Sequence, residues 1–257
     1  MGIDIREPLA VVEPSDPRVL GLRRMAIVPA YKEESVISQV IEEIRHADPE
    51  LEIVVIDDGS PDGTALTASG AGARVIRLPY NLGIGGAMQT GYQYALEHNF
   101  DLAVQIDGDG QHDPQDFFRL IVPIVERRAD LVIGTRFAGE KFYRGTFTRR
   151  IGIRYFARVV SLIIRQRVTD TTSGFRAVNR RGIRLFAADY PHDYPEVEST
   201  VLAAKHHLTI AEVPVAMRTR IAGHSSITIA RSIYYMIKVS LALFITLFRR
   251  YPTLEDQ

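Results

Sequence analysis

Short apolar runs that end in polar residues recur along the chain and define its predicted architecture. Runs of about four to eight apolar residues between turn-forming residues favour buried strands over helices. We predict strands at 24–29, 51–56, 73–78, 102–106, 129–134, 175–178 and 209–213. Polar residues are mostly confined to the ends of these runs, which is typical of parallel strands covered on both faces.

Helical periodicity fills several of the intervals between these strands. Apolar residues from Val36 to Ile44 give the segment from Ser35 to about Ala47 a single apolar face. Further helices are predicted to end near His98 and to cover 115–127, 151–164, 200–206 and 229–248. The order strand-helix-strand-strand-helix-strand-helix-strand implies an α/β fold, with a mainly parallel sheet between layers of helices.

Composition narrows the classes of function. Hydrophobic residues make up 46% of the chain and charged residues 24%, as in ordinary globular proteins. The formal net charge is zero, so the chain as a whole has no attraction for nucleic acid. The absence of cysteine excludes disulfides and thiolate metal sites.

No secretory signal is visible in residues 1–24, and no apolar run reaches the roughly 18 residues of a membrane-spanning helix. We therefore expect a cytoplasmic protein. Residues 1–22 are expected to form an N-terminal extension, because Pro8, Pro14 and Pro17 interrupt regular structure. Residues 23–228 are expected to form one domain, followed by a helical segment at 229–257.

Basic residues cluster between Lys141 and Arg184, where Asp170 is the only acid. Such a surface suits an anion, either phosphates or an anionic lipid leaflet. Within it, residues 151–164 carry apolar residues at helical spacing with arginines between them. This pattern fits either a helix on a membrane surface or a helix that packs on the core and exposes a basic face.

The apolar run 239–248 is too short to span a bilayer. The helix that contains it is expected to dock on the sheet, on a membrane interface, on a membrane-protein partner, or on a second subunit in a homodimer formed through 229–248.

Two pairs of acids follow predicted strands. Asp107 and Asp109 come after the run 102–106, and Asp57 and Asp58 come after the run 51–56. Strand ends in open α/β sheets are where ligands bind. Crowded carboxylates repel each other unless a cation lies between them, and hard oxygen ligands suit Mg²⁺ or Mn²⁺. The alternative is a structural turn rich in Asp and Gly.

Six motifs occur in one order. They are IVPAYKEE (27–34), VVIDDGSPDGT (54–64), NLGIGGAMQTGY (81–92), QIDGDGQHDP (105–114), GTRF (134–137) and DTTSGFRAVNRR (170–181). Together they resemble the family-2 glycosyltransferases, and within these the polyprenyl-phosphate (dolichol-phosphate type) sugar synthases. The resemblance covers roughly residues 25–228. It implies a GT-A fold, which is Rossmann-like, and an inverting, metal-dependent transfer of a hexose from a UDP- or GDP-sugar to a polyprenyl phosphate.

The resemblance also implies roles for particular residues. Asp107 and Asp109 match the DxD motif that holds Mg²⁺ or Mn²⁺ against the donor pyrophosphate, and Asp109 is placed in the catalytic group. Asp57 and Asp58 match the acidic pair that contacts the nucleoside. The other substrate-binding positions are Pro29, Ala30, Tyr31, Glu33, Gly85, Gly86, Gly108 and Ser173.

Three arginines match positions expected to hold phosphates: Arg176, also placed in the catalytic group, Arg218 and Arg220. The sequence departs from the family pattern at Lys32, where Asn is usual, and at Ile84, where Lys is frequent. Both departures bear on the identity of the donor.

The acceptor stays open. A polyprenyl phosphate arrives ionised and needs cations rather than a base, whereas a sugar hydroxyl of a lipid-linked or cell-envelope glycan needs a carboxylate to take its proton. Glu198, and less strongly Glu196, is the candidate base. A non-catalytic sugar-nucleotide-binding module that partners a membrane protein is an alternative of another class. For the lipid acceptor we expect a peripheral position on the inner face of the cell membrane.

Overall fold

The structure, a computed structural model, describes residue 12 and the ranges 16–137, 147–218 and 238–245, with residues 147–150 described by their backbone alone. Its strands are β1 (Arg24–Ala30), β2 (Glu52–Asp57), β3 (Arg74–Arg77), β4 (Leu102–Gln105), β5 (Leu131–Thr135), β6 (Arg176–Asn179) and β7 (Ile210–Pro214). They form one sheet in the order β3-β2-β1-β4-β6-β5-β7. Neighbouring strands are parallel, except that β6 runs antiparallel to both β4 and β5.

Helices cover both faces of this sheet. They are α1 (Ile37–Ala47), α2 (Thr64–Gly70), α3 (Gly83–Glu97), α4 (Phe117–Val125), α5 (Phe147–Ile164), α6 (Arg180–Ala188) and α7 (Pro195–Lys205). A further helical segment, α8, covers 238–245. A short 3₁₀ turn, Pro114–Asp116, leads into α4.

Two apolar cores lie on opposite faces of the sheet. Val28 and Val55 face the core that contains α1 and α4. Ile27 and Val54, their neighbours in sequence, face the core that contains α3 and α6. Successive strand residues point to opposite faces, so strands that are apolar throughout are buried on both sides. The mainly parallel, helix-covered sheet expected from the sequence is confirmed.

The sequence prediction omits two helices. The helix α2 starts because Asp62 accepts hydrogen bonds from both the N–H and the hydroxyl of Thr64. The helix α6 begins directly after β6, where the side-chain Oδ1 of Asn179 accepts the N–H groups of Arg181 and Gly182. The helix α2 has seven residues, too few to show a clear period. The helix α6 has nine residues, and the prediction overlooked its buried apolar residues Ile183, Leu185 and Phe186.

The direction of β6 and the start of α7 also differ from the prediction. Because β6 is antiparallel to β4, it brings the loop before it, 169–175, to the edge of the sheet where β4 ends. The helix α7 starts at Pro195 and not at Thr200, because proline is well suited to the first turn of a helix. Glu196 and Glu198 therefore lie in a helix and not in a loop.

The helix predicted at 151–164 forms within α5. Phe156 and Val160 pack in a third apolar cluster with residues of α7 and with Val239 and Leu243 of α8. The core-facing alternative is therefore correct for this face of α5. None of the helices in the described ranges is both long enough and apolar enough to cross a membrane.

Part of the expected N-terminal extension belongs to the domain. Val12 and Val19 are buried in the core with α1 and α4. The other residues expected in the extension lie mostly outside the described ranges, as does most of the segment 229–248 proposed for a homodimer contact.

Candidate active site

Four strand ends meet at one edge of the sheet. The carboxyl ends of β1, β2 and β4 lie side by side because these strands are parallel neighbours. The amino end of β6 joins them, since Arg176 pairs with Gln105. The loops that follow β1, β2 and β4, and the loop before β6, converge at this edge, which is where ligands bind in open α/β sheets.

Asp107 follows β4 and is held by two neighbours. Its side chain is 33% exposed. Its Oδ1 accepts a hydrogen bond from Gln105 Nε2 at 3.0 Å, and its backbone N–H donates to His112 Nδ1 at 3.0 Å. His112 Nε2 lies 3.6 Å from Asp107 Oδ2. The carboxylate is thus oriented by the protein and still accessible from the edge.

Asp109 lies two residues further along the same turn and is 6% exposed. Its Oδ1 accepts the backbone N–H of Gln111 at 3.0 Å. Gly108 separates the two acids, and a Cβ at this position would lie 3.1 Å from the Pro29 carbonyl oxygen. The turn therefore packs closely on the end of β1, which fixes Asp107 and Asp109 beside the loops after β1 and β2.

The residues at this turn fit a divalent metal ion. Asp107 and Asp109 supply hard oxygen ligands, and Gly174 leaves space beside them, since a Cβ there would lie 3.1 Å from Asp107 Oδ2. Among the described residues, no three His, Asp or Glu side chains converge on a self-sufficient metal cage. Two carboxylates completed by substrate phosphates are the ligand set that Mg²⁺ commonly takes.

Asp57 and Asp58 have different tasks. Asp58 accepts the N–H groups of Leu82 and Gly83, at 2.7 and 2.9 Å, and so caps the start of α3. Asp57 Oδ1 accepts the N–H of Ser60, while its Oδ2 lies 3.3 Å from Nε of the exposed Arg77. Both oxygens of Asp58 are thus used by backbone N–H groups, whereas Oδ2 of Asp57 has the exposed Arg77 side chain beside it.

The loop after β1 is tied to the loop after β2. Lys32 N–H donates to Ser60 Oγ at 3.1 Å, and Glu33 N–H donates to Thr64 Oγ1 at 3.0 Å. Lys32 adopts φ +60°, a conformation that Asn tolerates better than Lys. The backbone thus gives a physical reason for the Asn that is usual here in the family that the sequence resembles.

Three more predicted residues lie on this side of the edge. Pro29 and Ala30 form the last pairs of β1 with β2. Tyr31 follows them with 41% of its surface exposed, and Lys32 Nζ lies 5.1 Å from the centre of its ring. Tyr31 is therefore available to a ligand at the edge.

Close packing explains why glycine is required at positions 85 and 86. A Cβ at Gly85 would lie 2.4 Å from the Pro191 carbonyl oxygen, and one at Gly86 would lie 2.6 Å from Leu82 Cβ. Two N–H groups at the start of α3 are already taken by Asp58. These glycines are required for the close approach of α3 to its neighbours, and the geometry offers no separate support for a phosphate cradle.

Arg176 is buried, with 1% exposure, and its guanidinium is used by the protein itself. It donates to the carbonyl oxygens of Ser173 and Thr171, at 2.7 and 2.8 Å, and to the hydroxyls of Ser199 and Thr200. The expected phosphate-holding role is therefore revised, because these donors already have partners and the side chain does not reach the surface. Arg176 positions the loop that carries Ser173.

Ser173 itself is fully buried, and its hydroxyl has no hydrogen bond in the described part of the chain. A buried hydroxyl without a partner is costly, so it is a candidate contact for a substrate group that enters the site.

Two further anchors hold the same loop. Asp170 forms a buried, two-pronged ion pair with Arg136, in which both N···O distances are 2.6 Å. Glu212 of β7 accepts the N–H groups of Thr169 and Asp170, each at 2.8 Å. Burial raises the pKa of the Glu212 carboxyl, and these N–H groups act against that shift. The loop 169–175 is thus fixed to β5, β6 and β7.

Arg218 is paired with two carboxylates. Its guanidinium contacts Glu43 and Asp113, and the distance to Asp113 Oδ1 is 2.9 Å. The three side chains line a cavity of about 310 Å³, which Glu42 also borders. An acid-lined cavity disfavours a phosphate, so the expected phosphate contact of Arg218 gains no support here. Arg220 lies outside the described residues.

The two glutamates of α7 face different environments. Burial raises the pKa of the Glu196 carboxyl, while the nearby charges of Arg176 and Arg136 lower it and that of Asp107 raises it. Glu196 is therefore within electrostatic reach of Asp107. Residues two apart on a helix do not share a face, so Glu198 points elsewhere. If a base is needed, the geometry favours Glu196 over Glu198.

Sequence reasoning assigned no role to Gln105, His112 or Arg136, although each lies within a quoted motif. Gln105 and His112 contact Asp107 within the turn after β4, whereas Arg136 meets Asp170 because β5 pairs with β6. Their place in those motifs was the signal that could have identified them. A polar residue that is buried beside a strand end needs a hydrogen-bond partner, and the acids of the same motifs are the nearest candidates.

The family model for glycosyl transferase family 2 matches residues 25–187. The chain belongs to this family. It is 31% identical over 216 residues to the undecaprenyl-phosphate mannosyltransferase of Micrococcus luteus, covering 80% of this chain and 88% of that protein. It is 30% identical over 209 residues to the UDP-N-acetylglucosamine–dolichyl-phosphate N-acetylglucosaminyltransferase of Methanococcus voltae, covering 74% and 83%.

A solved structure shares the fold of this glycosyltransferase. It is glucosyl-3-phosphoglycerate synthase from Mycobacterium tuberculosis, in complex with Mn²⁺, UDP and phosphoglyceric acid. The TM-score is 0.71 at 22% identity, covering 91% of this chain and 81% of that one. The GT-A fold expected from the sequence is confirmed.

The buried ion pair of the loop 169–175 can be tested by its stability. Arg136→Ala should lower the free energy of unfolding by about 3–5 kcal/mol, because it leaves Asp170 buried without its partner. Arg119→Ala is the control, since Arg119 is 56% exposed and pairs with Asp116 at 3.1 Å; it should cost about 1 kcal/mol or less. Urea unfolding measures both, and equal small losses would contradict the anchoring role of Arg136.

Proposed function

We propose that this family-2 glycosyltransferase moves a hexose from a UDP- or GDP-sugar to a polyprenyl phosphate, with inversion at the anomeric carbon. The observation that carries the proposal is the pair Asp107 and Asp109 at the end of β4, beside the loops after β1 and β2. Such a pair suits a metal ion that is shared with a pyrophosphate.

The comparisons support the proposal from two sides. Two relatives are named as enzymes that transfer mannose to undecaprenyl phosphate and N-acetylglucosamine to dolichyl phosphate. The solved structure of the same fold contains Mn²⁺ and UDP. The relatives differ in their sugars, so we propose the class of donor and leave the sugar to experiment.

The residues of the chain have distinct tasks in this reaction. Asp107 and Asp109 would hold Mg²⁺ or Mn²⁺, which supplies a counter-charge to the departing nucleoside diphosphate. We assign the nucleoside contact to Asp57, whose Oδ2 lies 3.3 Å from Nε of the exposed Arg77. Tyr31 and the backbone of the loop after β1 border the same side of the edge. Inversion requires the acceptor to attack in line from the opposite side of the sugar.

A phosphate acceptor makes a general base unnecessary. The second pKa of a phosphate monoester is about 6, so the attacking oxygen is already an anion near neutral pH. The task of the protein is then to hold the acceptor near the sugar. The basic residues between Lys141 and Arg184 that are not used internally are the candidate cations for this purpose.

A sugar hydroxyl is the second candidate acceptor, and the environment of the Glu196 carboxyl favours it. A half-buried carboxylate with a raised pKa, within electrostatic reach of Asp107, is a suitable general base. A hydroxyl acceptor would therefore require Glu196 as a base, whereas a phosphate acceptor would not.

Transfer to a membrane lipid calls for contact with the membrane, and we propose that the exposed side of α5 and α8 supplies it. Large apolar side chains are exposed there beside exposed arginines. The apolar members are Ile151, Tyr155, Leu162, Leu241, Phe244 and Ile245, and the arginines are Arg154, Arg158 and Arg165. We call this set the outer face. Apolar side chains interleaved with basic ones suit an anionic lipid interface.

The two helices of the outer face are joined, since Tyr155 OH lies 3.1 Å from Ser240 Oγ. Their apolar residues Phe156 and Leu243 are buried in one cluster. The outer face therefore lies on the side of α5 opposite to the buried side that contains Phe156 and Val160.

The metal assignment predicts that Asp107→Ala and Asp109→Ala lose transfer by at least about a hundredfold while keeping the fold. UDP- and GDP-hexoses are offered with a polyprenyl phosphate, with Mg²⁺ or Mn²⁺ and with excess EDTA, and the lipid-linked product is counted. Product formation in EDTA, or normal activity of either variant, would overturn the assignment. Absence of product with every donor would count against the enzyme and favour a binding module.

The acceptor is tested at Glu196, with Glu198 as the matched control on the same helix. For a phosphate acceptor, Glu196→Gln and Glu198→Gln should each slow the chemical step less than about tenfold. For a hydroxyl acceptor, Glu196→Gln should lose about 10² to 10⁴ in rate and Glu198→Gln little. Single-turnover rates separate the two, and a large selective loss at Glu196 would replace the phosphate acceptor by the hydroxyl.

The outer face predicts binding to anionic vesicles that weakens as salt increases. Leu162→Asp should reduce that binding, whereas Leu66→Asp should not, because Leu66 is equally exposed, at 80%, but lies on α2. Co-sedimentation with phosphatidylglycerol and phosphatidylcholine vesicles measures the effect. Equal losses in both variants, or equal binding to both lipids, would refute the role of the outer face.

A further inference from the structure

We infer that Gln105 and His112 are positioning residues that set the orientation of Asp107 before a metal ion binds. The inference rests on the metal site of the proposed function and adds that the affinity of that site depends on two neighbours which are not themselves proposed ligands. Outer partners of this kind typically change metal affinity by roughly 10- to 100-fold when they are removed.

Gln105 orients the carboxylate through its side-chain amide. Residues two apart on an extended chain point to the same side, so the last residue of β4 lies alongside Asp107. Gln105 Nε2 donates to Asp107 Oδ1 at 3.0 Å. This bond directs the other oxygen, Oδ2, away from Gln105.

Gln105 is poorly explained by its contribution to stability. It is 1% exposed, and its Oε1 has no hydrogen bond in the described part of the chain. A buried acceptor without a partner costs about 1–3 kcal/mol, and this cost offsets what the amide gains from Asp107. A polar side chain kept at such a cost beside a carboxylate points to a role in orienting that carboxylate.

His112 fixes the backbone of the same residue. Its Nδ1 accepts the Asp107 N–H at 3.0 Å, so the hydrogen of the neutral ring is on Nε2. That nitrogen lies 3.6 Å from Asp107 Oδ2, which is too far for a normal hydrogen bond. The ring therefore acts mainly on the backbone of Asp107, and Oδ2 stays available to a cation.

The loop before β6 keeps His112 and Asp107 in place. The rings of Phe175 and His112 are stacked, with centroids 4.9 Å apart and planes 14° apart. Gly174 lies against the Gln105 amide, where a Cβ would approach Nε2 to 2.8 Å. Gln105, Asp107 and His112 thus form one packed unit. The loop 169–175, which Arg136 and Glu212 hold in place, packs against it.

The experiment measures binding of Mn²⁺ alone, by electron paramagnetic resonance of the free ion, together with the thermal unfolding midpoint of each variant. Gln105→Met keeps the length of the side chain and removes the amide. We expect it to weaken Mn²⁺ binding by about tenfold or more and to leave the midpoint unchanged or raised. A purely structural role would instead lower the midpoint and leave the affinity of the folded protein unchanged.

Two substitutions isolate the relevant atom of His112. His112→Asn places an oxygen acceptor where Nδ1 was, whereas His112→Leu removes the acceptor. We expect Mn²⁺ affinity to be largely retained in the first and to fall about tenfold or more in the second. Thr171→Val is the control at the same edge, because this buried hydroxyl has no hydrogen bond in the described part of the chain and does not bond to Asp107.

Asp107→Ala separates failure of the inference from failure of the proposed function. If Asp107→Ala binds Mn²⁺ as the wild type does, the metal site itself is wrong. If Asp107→Ala loses Mn²⁺ while Gln105→Met and His112→Leu bind normally, the metal site stands and the positioning role is overturned. An equal loss in Thr171→Val would also overturn it, since the effect would then not be specific to these partners.

Discussion

The buried ion pair between Arg136 and Asp170 is the interaction on which the candidate active site depends. Two charges removed from water must satisfy each other, because neither alone could remain buried. Their pairing joins the end of β5 to the loop before β6, and Glu212 and Arg176 join the same loop to β7 and α7. The loop then supplies the ring that supports His112 and the glycine that leaves room for Asp107. The strands β5, β6 and β7 thus support the loop 169–175, which packs against the turn after β4 that carries the carboxylates.

The acidic residues at the edge of the sheet show how identical side chains acquire different functions. Asp58 faces the N-terminus of α3, where N–H groups and the helix dipole stabilise its charge, and so it is a structural cap. Asp57, its neighbour, accepts one backbone N–H and pairs with the exposed Arg77. Asp107 is oriented and accessible, and Asp109 is buried beside it. The groups that surround each carboxylate therefore decide whether it acts as a structural cap or is accessible to a ligand.

Much of the fold and the place of the site could be predicted from the sequence. Buried strands have a strong apolar signal, and acids that follow such strands must lie at the carboxyl edge of the sheet. The direction of β6 could not be predicted, because apolar content does not encode the direction of a strand. The burial of Arg176 was missed for a related reason. The resemblance implied a cation that holds a phosphate, and only the pairing of β6 with β4 shows that this side chain is enclosed.

The choice between Glu196 and Glu198 shows another limit of sequence reasoning. The prediction started this helix at residue 200, whereas α7 starts at Pro195, because a proline can either interrupt a helix or begin one. A shift in the start of a helix does not change the spacing of two residues, but it decides whether helical geometry applies to them at all. In a helix the two side chains lie on different faces, and Glu196 is the one influenced by the charge of Asp107.

The central position of β4 has a consequence for the order in which the protein assembles. Met25 pairs with Ala103 on one side of β4, and Gln105 pairs with Arg176 on the other, so both neighbours are distant in sequence. Closing such long loops is entropically costly and makes folding slow. During synthesis β1, β2 and β3 emerge first and can pair, whereas β6 and the anchor at Glu212 emerge later. The loop 169–175 therefore packs against Asp107 and Asp109 only when the sheet is nearly complete. A partly synthesised chain would contain these two acids but would not yet hold them in the geometry of the site.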